Sequence, residues 1–228
     1  VRSPAIANGP AEVIHNVVYN GLRGFVHNNP ASGGFNFIGN VFKDGPVQSL
    51  AAFYFDPEGG SNLTTLRYFL SGNEYRGTGA CTAGPVDDPW TQCNITQDIA
   101  ASAKVSVRHE FTGDAFRAVV TGSASDAYTQ VLARSGAFPR DFITKRSVDE
   151  TNAGTGAHGS RYTNASDFLQ GLTAGTAPAD ADNDGIADDW EASHGLSSSN
   201  ANDASTILPG GYSAIETYIN ELADALVK

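Results

Sequence analysis

An acidic stretch near the C-terminus, "DADNDGIADDWE" at residues 180–191, has the residue types and the spacing of a calcium-binding loop. A loop of the EF-hand kind takes oxygen ligands from positions 1, 3, 5, 7, 9 and 12, with a glycine at position 6 for the sharp turn. The ligands would be Asp180, Asp182, Asp184, the main-chain carbonyl of Ile186, Asp188 and Glu191, with Gly185 at the turn. A solvated acidic linker is the alternative, but it gives no reason for Gly185 and Glu191 to be in register.

The residues after this loop predict a helix that completes a small calcium-binding tail. "SAIETYINELADALVK" places apolar residues on one helical face, namely Ile215, Tyr218, Ile219, Leu222 and Leu226. Ser213 and Glu216 have the spacing of a capping box at its start. A second loop over residues 206–217 keeps a glycine at 211 but has Leu208, Gly210 and Thr217 where ligands belong, so it is degenerate. A single closed cage of protein oxygens predicts a structural Ca²⁺ ion rather than a catalytic one.

Composition and charge narrow the classes of partner. The chain has 228 residues and a formal net charge of -11, and such a surface repels nucleic acid and anionic lipid, so neither is an expected partner. No stretch approaches the apolar length of a membrane span. The sequence contains no methionine, and we interpret it as a processed chain that is secreted. The expected organisation is a body over residues 1–170, a linker over 171–179, and the calcium-binding helical tail over 180–228.

Two cysteines, Cys81 and Cys93, delimit "CTAGPVDDPWTQC" in the body. Their separation suits a disulfide that closes a surface loop, which on the chain-entropy model contributes about 3 kcal/mol. Two free buried thiols are the alternative, because two cysteines alone prove little. Asn62, Asn94 and Asn164 lie in N-glycosylation sequons, which matter only if the source glycosylates them.

The body is built from similar segments, each centred on an asparagine. "VIHNVVYN", "FIGNVFKD" and "LSGNEYRG" contain Asn16, Asn40 and Asn73, flanked by short apolar runs and separated by turn residues. One strand cluster per copy of about two dozen residues indicates a solenoid, so the fold class is all-β, a parallel β-helix. Stacked coils would align Asn16 and Asn40 in an amide ladder. An antiparallel sandwich with asparagines in its loops is the alternative. In either fold, His15 and His27 are interpreted as turn or core residues rather than as ligands.

An ordered series of motifs resembles the C-terminal half of family 1 polysaccharide lyases, the pectate lyases. "VRSPAIANGPAEVIHNVVYN" matches that family's R-x-P segment followed by an "NNVxYN" coil, and "GFNFIGNVFKDGP" matches its next coil. "VLARSGAFPRDFITKRSVDETNAGTG" resembles the way bacterial members leave the β-helix, and the "DxDxDGxxDxWE" tail follows it in that subgroup. The resemblance covers most of the chain apart from residues 56–100. It implies a right-handed parallel β-helix with a calcium-binding helical tail.

The resemblance also implies an activity, β-elimination on a uronate polysaccharide such as polygalacturonate. In the family, Ca²⁺ held between protein carboxylates and the substrate carboxylate acidifies the C5 proton, which an arginine removes. That arginine corresponds to Arg2, and Lys43 and Arg23 could bind substrate carboxylates, although ordinary surface roles are the alternative for all three. A second family arginine is absent, since Ala5 and Ala7 stand at the matching places.

The family's catalytic calcium ligands lie in coils that precede the R-x-P segment. We therefore expect an N-terminal half that completes the β-helix, because a raw coil end exposes unpaired strands. This half would be either a second polypeptide or the preceding part of a longer chain, and a short β-helix capped in another way is the alternative. Three hypotheses follow: a secreted calcium-dependent lyase acting on acidic polysaccharide, a non-catalytic β-helical carbohydrate-binding or surface protein, and a structural module whose tail Ca²⁺ governs stability or docking.

Overall fold

The fold is taken from a computed structural model of the chain. It describes residues 3–6, 8–27, 32–47, 50–55, 64–94, 101–111, 119–157, 164, 166 and 169–226. Two compact units divide the chain. The first comprises residues 1–135 and 146–161, and the second comprises residues 136–145 and 162–228.

Short strands build the first unit. They are β1 (Ala11–Ile14), β2 (Val17–Tyr19), β3 (Arg23–His27), β4 (Gly34–Ile38), β5 (Val41–Lys43), β6 (Ala51–Phe55), β7 (Arg67–Ser71), β8 (Glu74–Arg76), β9 (Gly84–Pro85) and β10 (Lys104–Val105). Turn residues separate them, and β-branched and aromatic side chains fill them, as is typical of strands that pack on a pleated surface.

The described strands form three sheets whose order repeats along the chain. The orders are β1-β4-β7-β10, β2-β5-β8-β9 and β3-β6, and each strand pair is parallel except β8 with β9. β1 is in register with β4 so that Ala11 pairs with Phe35, and β2 is in register with β5 so that Val17 pairs with Val41. The predicted asparagine period of 24 residues is therefore also the register of the first two coils. Mostly parallel sheets are compatible with the predicted β-helix-like fold, and the antiparallel sandwich is not found among these strands.

Aromatic rings fill the core between the sheets. Phe25 and Phe37 meet edge to face with ring centroids 4.2 Å apart, and Phe55 stacks on Tyr68 at 4.5 Å. Fully buried aromatic side chains dominate this cluster because alternate strand residues point inward from all three sheets. Asn36 lies between two phenylalanines of β4 and is fully buried. Its burial is tolerated because its amide donates to Glu12 Oε1 and to the carbonyl of His109.

One tight turn recurs between the first two strands of each coil. In each copy of the turn, the residue before the ladder asparagine has a positive φ. The angle is 55° at His15, 62° at Gly39 and 67° at Gly72. Glycine tolerates this left-handed conformation, and histidine is one of the few other residues enriched there. His15 is thus a turn residue, as the sequence predicts, and its Nε2 lies 2.9 Å from the main-chain N of Gly122.

The three turn asparagines form an amide ladder, which the sequence predicts for Asn16 and Asn40 and which Asn73 extends. Oδ1 of Asn40 accepts from the main-chain N–H and the side-chain amide of Asn16, both at 3.0 Å. Oδ1 of Asn73 accepts the same pair of donors from Asn40, at 3.1 and 2.8 Å. Asp87 ends the row, since its Oδ1 accepts from the N–H and the amide of Asn73 at 2.8 and 2.9 Å. This row, the asparagine ladder, binds consecutive coils together.

The predicted disulfide is present between Cys81 and Cys93. The loop that it closes carries Asp87, which ends the asparagine ladder, and helix α1 (Pro89–Gln92). Trp90 in that helix stacks on Phe55 at 5.4 Å, so the loop also covers the end of the aromatic core. Of the sequon asparagines, Asn94 and Asn164 are exposed, and Asn62 lies outside the described residues.

The remaining helices lie later in the chain. They are α2 (Ala124–Arg134), α3 (Phe142–Ala153), α4 (Asp188–His194) and α5 (Ala214–Leu226), with 3-10 helices at Ala101–Ala103 and Asp203–Ser205. Ser123 caps α2 by accepting the N–H of Asp126 at 3.0 Å. Within the described residues, no helix combines the length and the apolar character needed to cross a membrane.

The second unit has a small core of its own around helix α5. Ile186, Ala187, Ala214 and Tyr218 are buried together there. The predicted capping box is present, because Ser213 Oγ donates to Glu216 Oε2 at 2.6 Å and the N–H of Ser213 donates to the same oxygen at 2.8 Å. The predicted apolar face is only partly used: Tyr218 is buried, whereas Ile219, Leu222 and Leu226 are exposed.

Candidate functional site

The loop over residues 180–191, the tail loop, has the backbone of a metal-binding turn. Gly185 adopts φ of 94° and Asn183 φ of 61°, so the predicted glycine stands where the chain needs the left-handed region. Asp180 ties the turn together, since its oxygens accept the N–H groups of Asp184 at 3.2 Å and Gly185 at 3.0 Å. Ile186 follows and is fully buried in the small core, so the loop is anchored on its apolar side.

Six carboxylate oxygens in this region are buried and have no hydrogen-bond partner among the described residues. They are both oxygens of Asp182, both oxygens of Glu191, Oδ2 of Asp184 and Oδ1 of Asp203. The second oxygens of Asp184 and Asp203 accept main-chain N–H groups, from Ile186 at 2.8 Å and from Ser197 at 2.9 Å. Buried acceptors normally have partners, so this concentration of unpartnered oxygens indicates a ligand that supplies positive charge.

Glu191 is the most enclosed of these residues. Its exposed fraction is 0%, and it is the last residue of the tail loop and part of helix α4. Burial raises the pKa of the Glu191 carboxyl above its ordinary value, and the charges of Asp182 and Asp184 raise it further. A buried carboxylate next to other carboxylates is unfavourable unless it is paired or coordinates a metal. Glu191 therefore depends on a neighbouring cation for its ionised form.

The oxygens fit a hard divalent cation. Ligand atoms of Asp180, Asp182 and Asp184 lie within 4.8 Å of one another, and so do those of Asp184, Glu191 and Asp203. Ca²⁺ takes six to eight oxygens at about 2.3–2.6 Å, so ligands on opposite sides of one ion stand about 5 Å apart. Mg²⁺ prefers one or two carboxylates with several waters. The carboxylates of the two close groups therefore fit Ca²⁺, whose contribution would be to neutralise them and fix the loop.

Asp188, a predicted ligand, and Asp203, which the loop spacing does not include, differ in their distance from the other carboxylates. Asp188 begins helix α4, and its Oδ1 accepts the N–H of Ala181 at 2.8 Å; it belongs to neither close group of carboxylates. Asp203 belongs to one of them although it lies 12 residues beyond Glu191. The spacing rule contains no signal for Asp203, because it considers only the twelve positions of the loop. A ligand role for Asp188 and for the carbonyl of Ile186 stays a prediction.

Lys43, a predicted substrate-binding residue, is engaged within the chain. Its ammonium donates to the carbonyl oxygens of Thr151 at 2.7 Å and Asn152 at 3.1 Å, and to the hydroxyl of Tyr128 at 3.2 Å. An ammonium has three N–H donors, so these contacts can use all of them. This arrangement holds the end of α3 and the side chain of Tyr128 near β5; a role for Lys43 in substrate binding stays a prediction.

Arg23, the other predicted substrate-binding residue, begins strand β3 and is partly exposed. Its guanidinium lies 3.7 Å from the ring centroid of Tyr54, a cation–π contact. Arg2 lies outside the described residues, but Ser3 donates its N–H to the carbonyl of Gly24 at 3.1 Å. The chain just after Arg2 therefore runs beside the start of β3.

Comparison with known proteins finds a consistent set of distant relatives. Proteins named "Probable pectate lyase C" are 27% identical in Aspergillus terreus, 28% in Aspergillus flavus and 26% in Emericella nidulans. The alignments cover 97% of this chain, and the chain spans about half the length of these relatives, 50%, 50% and 49% respectively. No family model matches the chain, and no solved structure matches it. The relatives support a pectate-lyase-like family at low identity.

Proposed function

We propose that this chain is the C-terminal part of a secreted polysaccharide lyase that cleaves a uronate-containing glycan, with polygalacturonate as the model substrate. The observation that carries the proposal is the alignment over 97% of the chain with proteins named as probable pectate lyases. It spans both the parallel coils and the acidic tail. The coils would belong to a right-handed parallel β-helix, continued by a further polypeptide on the side of β1 and β2.

The proposed reaction is calcium-assisted β-elimination. Abstraction of the C5 proton leaves charge on the uronate carboxylate, and cations beside that carboxylate stabilise it. Arg2 would take the proton, after which the oxygen at C4 leaves and a C4–C5 double bond remains. A guanidinium has an ordinary pKa above 12, so this role requires a cationic, desolvated setting that favours its neutral form.

The described residues around β3 support a substrate-binding role for Arg23. Ser3, the residue after Arg2 in the sequence, donates its N–H to Gly24 of β3, and Arg23 begins the same strand. Tyr54 limits the freedom of the Arg23 guanidinium by stacking, and a held guanidinium loses less entropy when it binds a carboxylate. Arg23 is thus proposed to bind substrate carboxylates next to the coil that carries Arg2.

Calcium has a separate, structural role in the tail under this proposal. Asp180, Asp182, Asp184 and Glu191 would hold one Ca²⁺. The ion would neutralise the buried carboxylate oxygens of the tail loop. The ion is enclosed by protein carboxylates, so it has little room for a substrate group. Calcium dependence of the whole protein would therefore combine a catalytic effect at the coils with a stability effect in the tail.

An assay for unsaturated uronides tests the activity. Polygalacturonate would be incubated with the native protein, including any polypeptide that an intact-mass measurement finds co-purifying, and absorbance of the C4–C5 double bond would be followed. The Arg2→Ala variant should lose turnover by about 100-fold or more, the range for removing a group that transfers a proton. Arg134→Ala, which changes an exposed arginine at the end of α2, is the matched control and should behave as wild type.

Two further variants separate the chemistry from the fold. Arg2→Lys should also be inactive, because an ammonium cannot reproduce the geometry of a guanidinium, while its melting temperature stays that of wild type. Asp184→Ala removes a tail ligand and should lower the melting temperature in calcium while turnover at low temperature persists. Activity that survives Arg2→Ala would show that the base is assigned wrongly.

A non-catalytic carbohydrate-binding protein is the second candidate. The observation that favours it is the engagement of Lys43 with Thr151, Asn152 and Tyr128, together with Ala5 at the place of a family arginine. In that case polygalacturonate would retard the protein in affinity electrophoresis, and Arg23→Ala would reduce the retardation. The uronide assay would then show no product with the native material.

A further inference from the structure

We infer that Asp203 is a ligand of the tail calcium ion and takes the place that the loop spacing assigns to Asp188. The inference rests on the calcium site proposed above and extends it beyond the loop. The ion would then join three parts of the second unit: the tail loop, helix α4 and the 3-10 helix Asp203–Ser205. The ligands of the site would therefore come from separate segments of the chain rather than from one loop.

One oxygen of each aspartate accepts a main-chain N–H, so the other oxygen and its surroundings distinguish their roles. Asp203 Oδ2 accepts the N–H of Ser197 at 2.9 Å, which leaves Oδ1 buried and without a partner among the described residues. Asp188 Oδ1 accepts the N–H of Ala181 at 2.8 Å, and its position at the start of α4 suits a carboxylate that stabilises a helix N-terminus. Asp203 is thus held with a buried, unpartnered oxygen in the close group with Asp184 and Glu191, whereas Asp188 belongs to neither close group of the described residues.

Glu191 supplies an independent observation that a cation belongs beside Asp203. Glu191 is 0% exposed and neither of its oxygens has a partner in the described part of the chain. Its ligand atom lies within 4.8 Å of those of Asp184 and Asp203. Three carboxylates so close together repel one another unless a cation lies among them. A divalent ion that contacts Glu191 and Asp184 from this side would also contact Asp203.

The arrangement explains how the segment after α4 is fixed. Ser197, at the end of the turn that follows α4, is held by the second oxygen of Asp203, and Thr206 donates its N–H to the carbonyl of Asp203 at 2.8 Å. The carbonyl of Thr206 in turn accepts the N–H of Ala214 at the start of α5 at 2.9 Å. An ion bound to Asp203 therefore stabilises the approach to α5 as well as the loop.

Isothermal titration with Ca²⁺ on the full chain tests the inference. Asp203→Asn removes the negative charge and leaves an oxygen at only one of the two positions that face Ser197 and the ion, so the Kd for Ca²⁺ should rise by about 10-fold or more. Asp188→Asn keeps an acceptor for Ala181 and is the matched control. Its Kd should change clearly less than that of Asp203→Asn.

Melting temperatures separate a lost ligand from a damaged fold. Asp203→Asn removes one of three crowded negative charges, so without calcium its melting temperature should equal or exceed that of wild type, while with calcium it should be lower. If Asp203→Asn melts lower both with and without calcium and its Kd for Ca²⁺ is unchanged, the inference is overturned. It is also overturned if Asp188→Asn, rather than Asp203→Asn, weakens calcium binding. Absence of Ca²⁺ binding by wild type would refute the proposed site itself, which is a different outcome from equal binding by wild type and Asp203→Asn.

Discussion

In the stack of parallel strands, Asn40 is fully buried and its amide meets partners from two neighbouring coils. In the tail, Glu191 is just as deeply buried, and neither of its oxygens has a partner among the described residues. An amide carries donors and an acceptor, so a row of amides can satisfy itself. A group of carboxylates carries only acceptors and cannot.

The difference shows how each region obtains its stability. The asparagine ladder ends on Asp87, whose carboxylate accepts from Asn73 and Gly72 without offering a donor, so the row closes within the protein. The tail loop gathers like charges whose repulsion a bound cation would offset. The first region is satisfied by its own groups, and the second would be completed by the proposed ion. The balance of donors and acceptors, rather than burial of polar groups alone, therefore indicates a candidate metal site.

The largest effect is expected from breaking the ladder at its centre. Asn40→Ala removes the donor to the carbonyl of Val13 and the bonds to Asn16 and Asn73, which leaves buried groups unpaired at a cost of about 3–5 kcal/mol of unfolding free energy. Asn16→Ala is the matched control. Asn16 is exposed and its main-chain N–H still reaches Asn40, so the cost should stay below about 1 kcal/mol. Chemical denaturation measures both.

Equal losses for the two variants in that experiment would contradict the ladder as a source of stability.

Chelation sharpens the comparison from the other side. At a free calcium concentration 100 times the Kd, binding stabilises the folded tail by about 2.7 kcal/mol. Removal of calcium should therefore speed amide hydrogen exchange in residues 180–226, where both candidate acidic groups of the described residues lie. The ladder amides of Asn40 and Asn73 should exchange as before, because their partners are protein atoms. Unchanged exchange in the tail after chelation would argue against a structural ion.

Local periodicity accounts for what the sequence predicts correctly. Asn16 and Asn40 could be paired because stacked coils repeat at one spacing, and the capping box of Ser213 and Glu216 is defined within four residues. The turn at Gly185 follows from one fixed position in a twelve-residue motif. Each of these relations is fixed by neighbours along the chain or by a constant register, so residue types are enough to find them.

Contacts between distant segments explain what the sequence does not predict. Asp87 reaches the ladder because the disulfide loop folds back over it, and Asp203 reaches Glu191 because the chain turns after α4. Lys43 is identified by motif as a groove residue, yet its acceptors come from residues 151 and 152, more than a hundred positions later. No short-range pattern encodes such meetings, since they depend on how loops close.

The smallest expected effect concerns the cap of helix α5. There the carboxylate of Glu216 accepts from two donors, whereas Glu191 has no donor among the described residues. Hydrogen bonds from the Ser213 hydroxyl and N–H lower the pKa of the Glu216 carboxyl. Ser213→Ala removes the hydroxyl, and loss of a cap of this type costs about 1 kcal/mol. A folded-state pKa below the unfolded one means that this stabilisation is present above the ordinary glutamate pKa and is lost as the pH falls through the folded value.

The difference between wild type and Ser213→Ala should therefore be largest near neutral pH and should shrink at about pH 3, below the ordinary glutamate pKa. Comparing the two proteins at each pH in the same calcium concentration cancels the titration of the tail loop, which both share. Denaturation followed by helix circular dichroism gives the two differences. A difference that grows as the pH falls would contradict the cap, because it would mean that the protonated carboxyl, rather than the charged one, is the form held by Ser213.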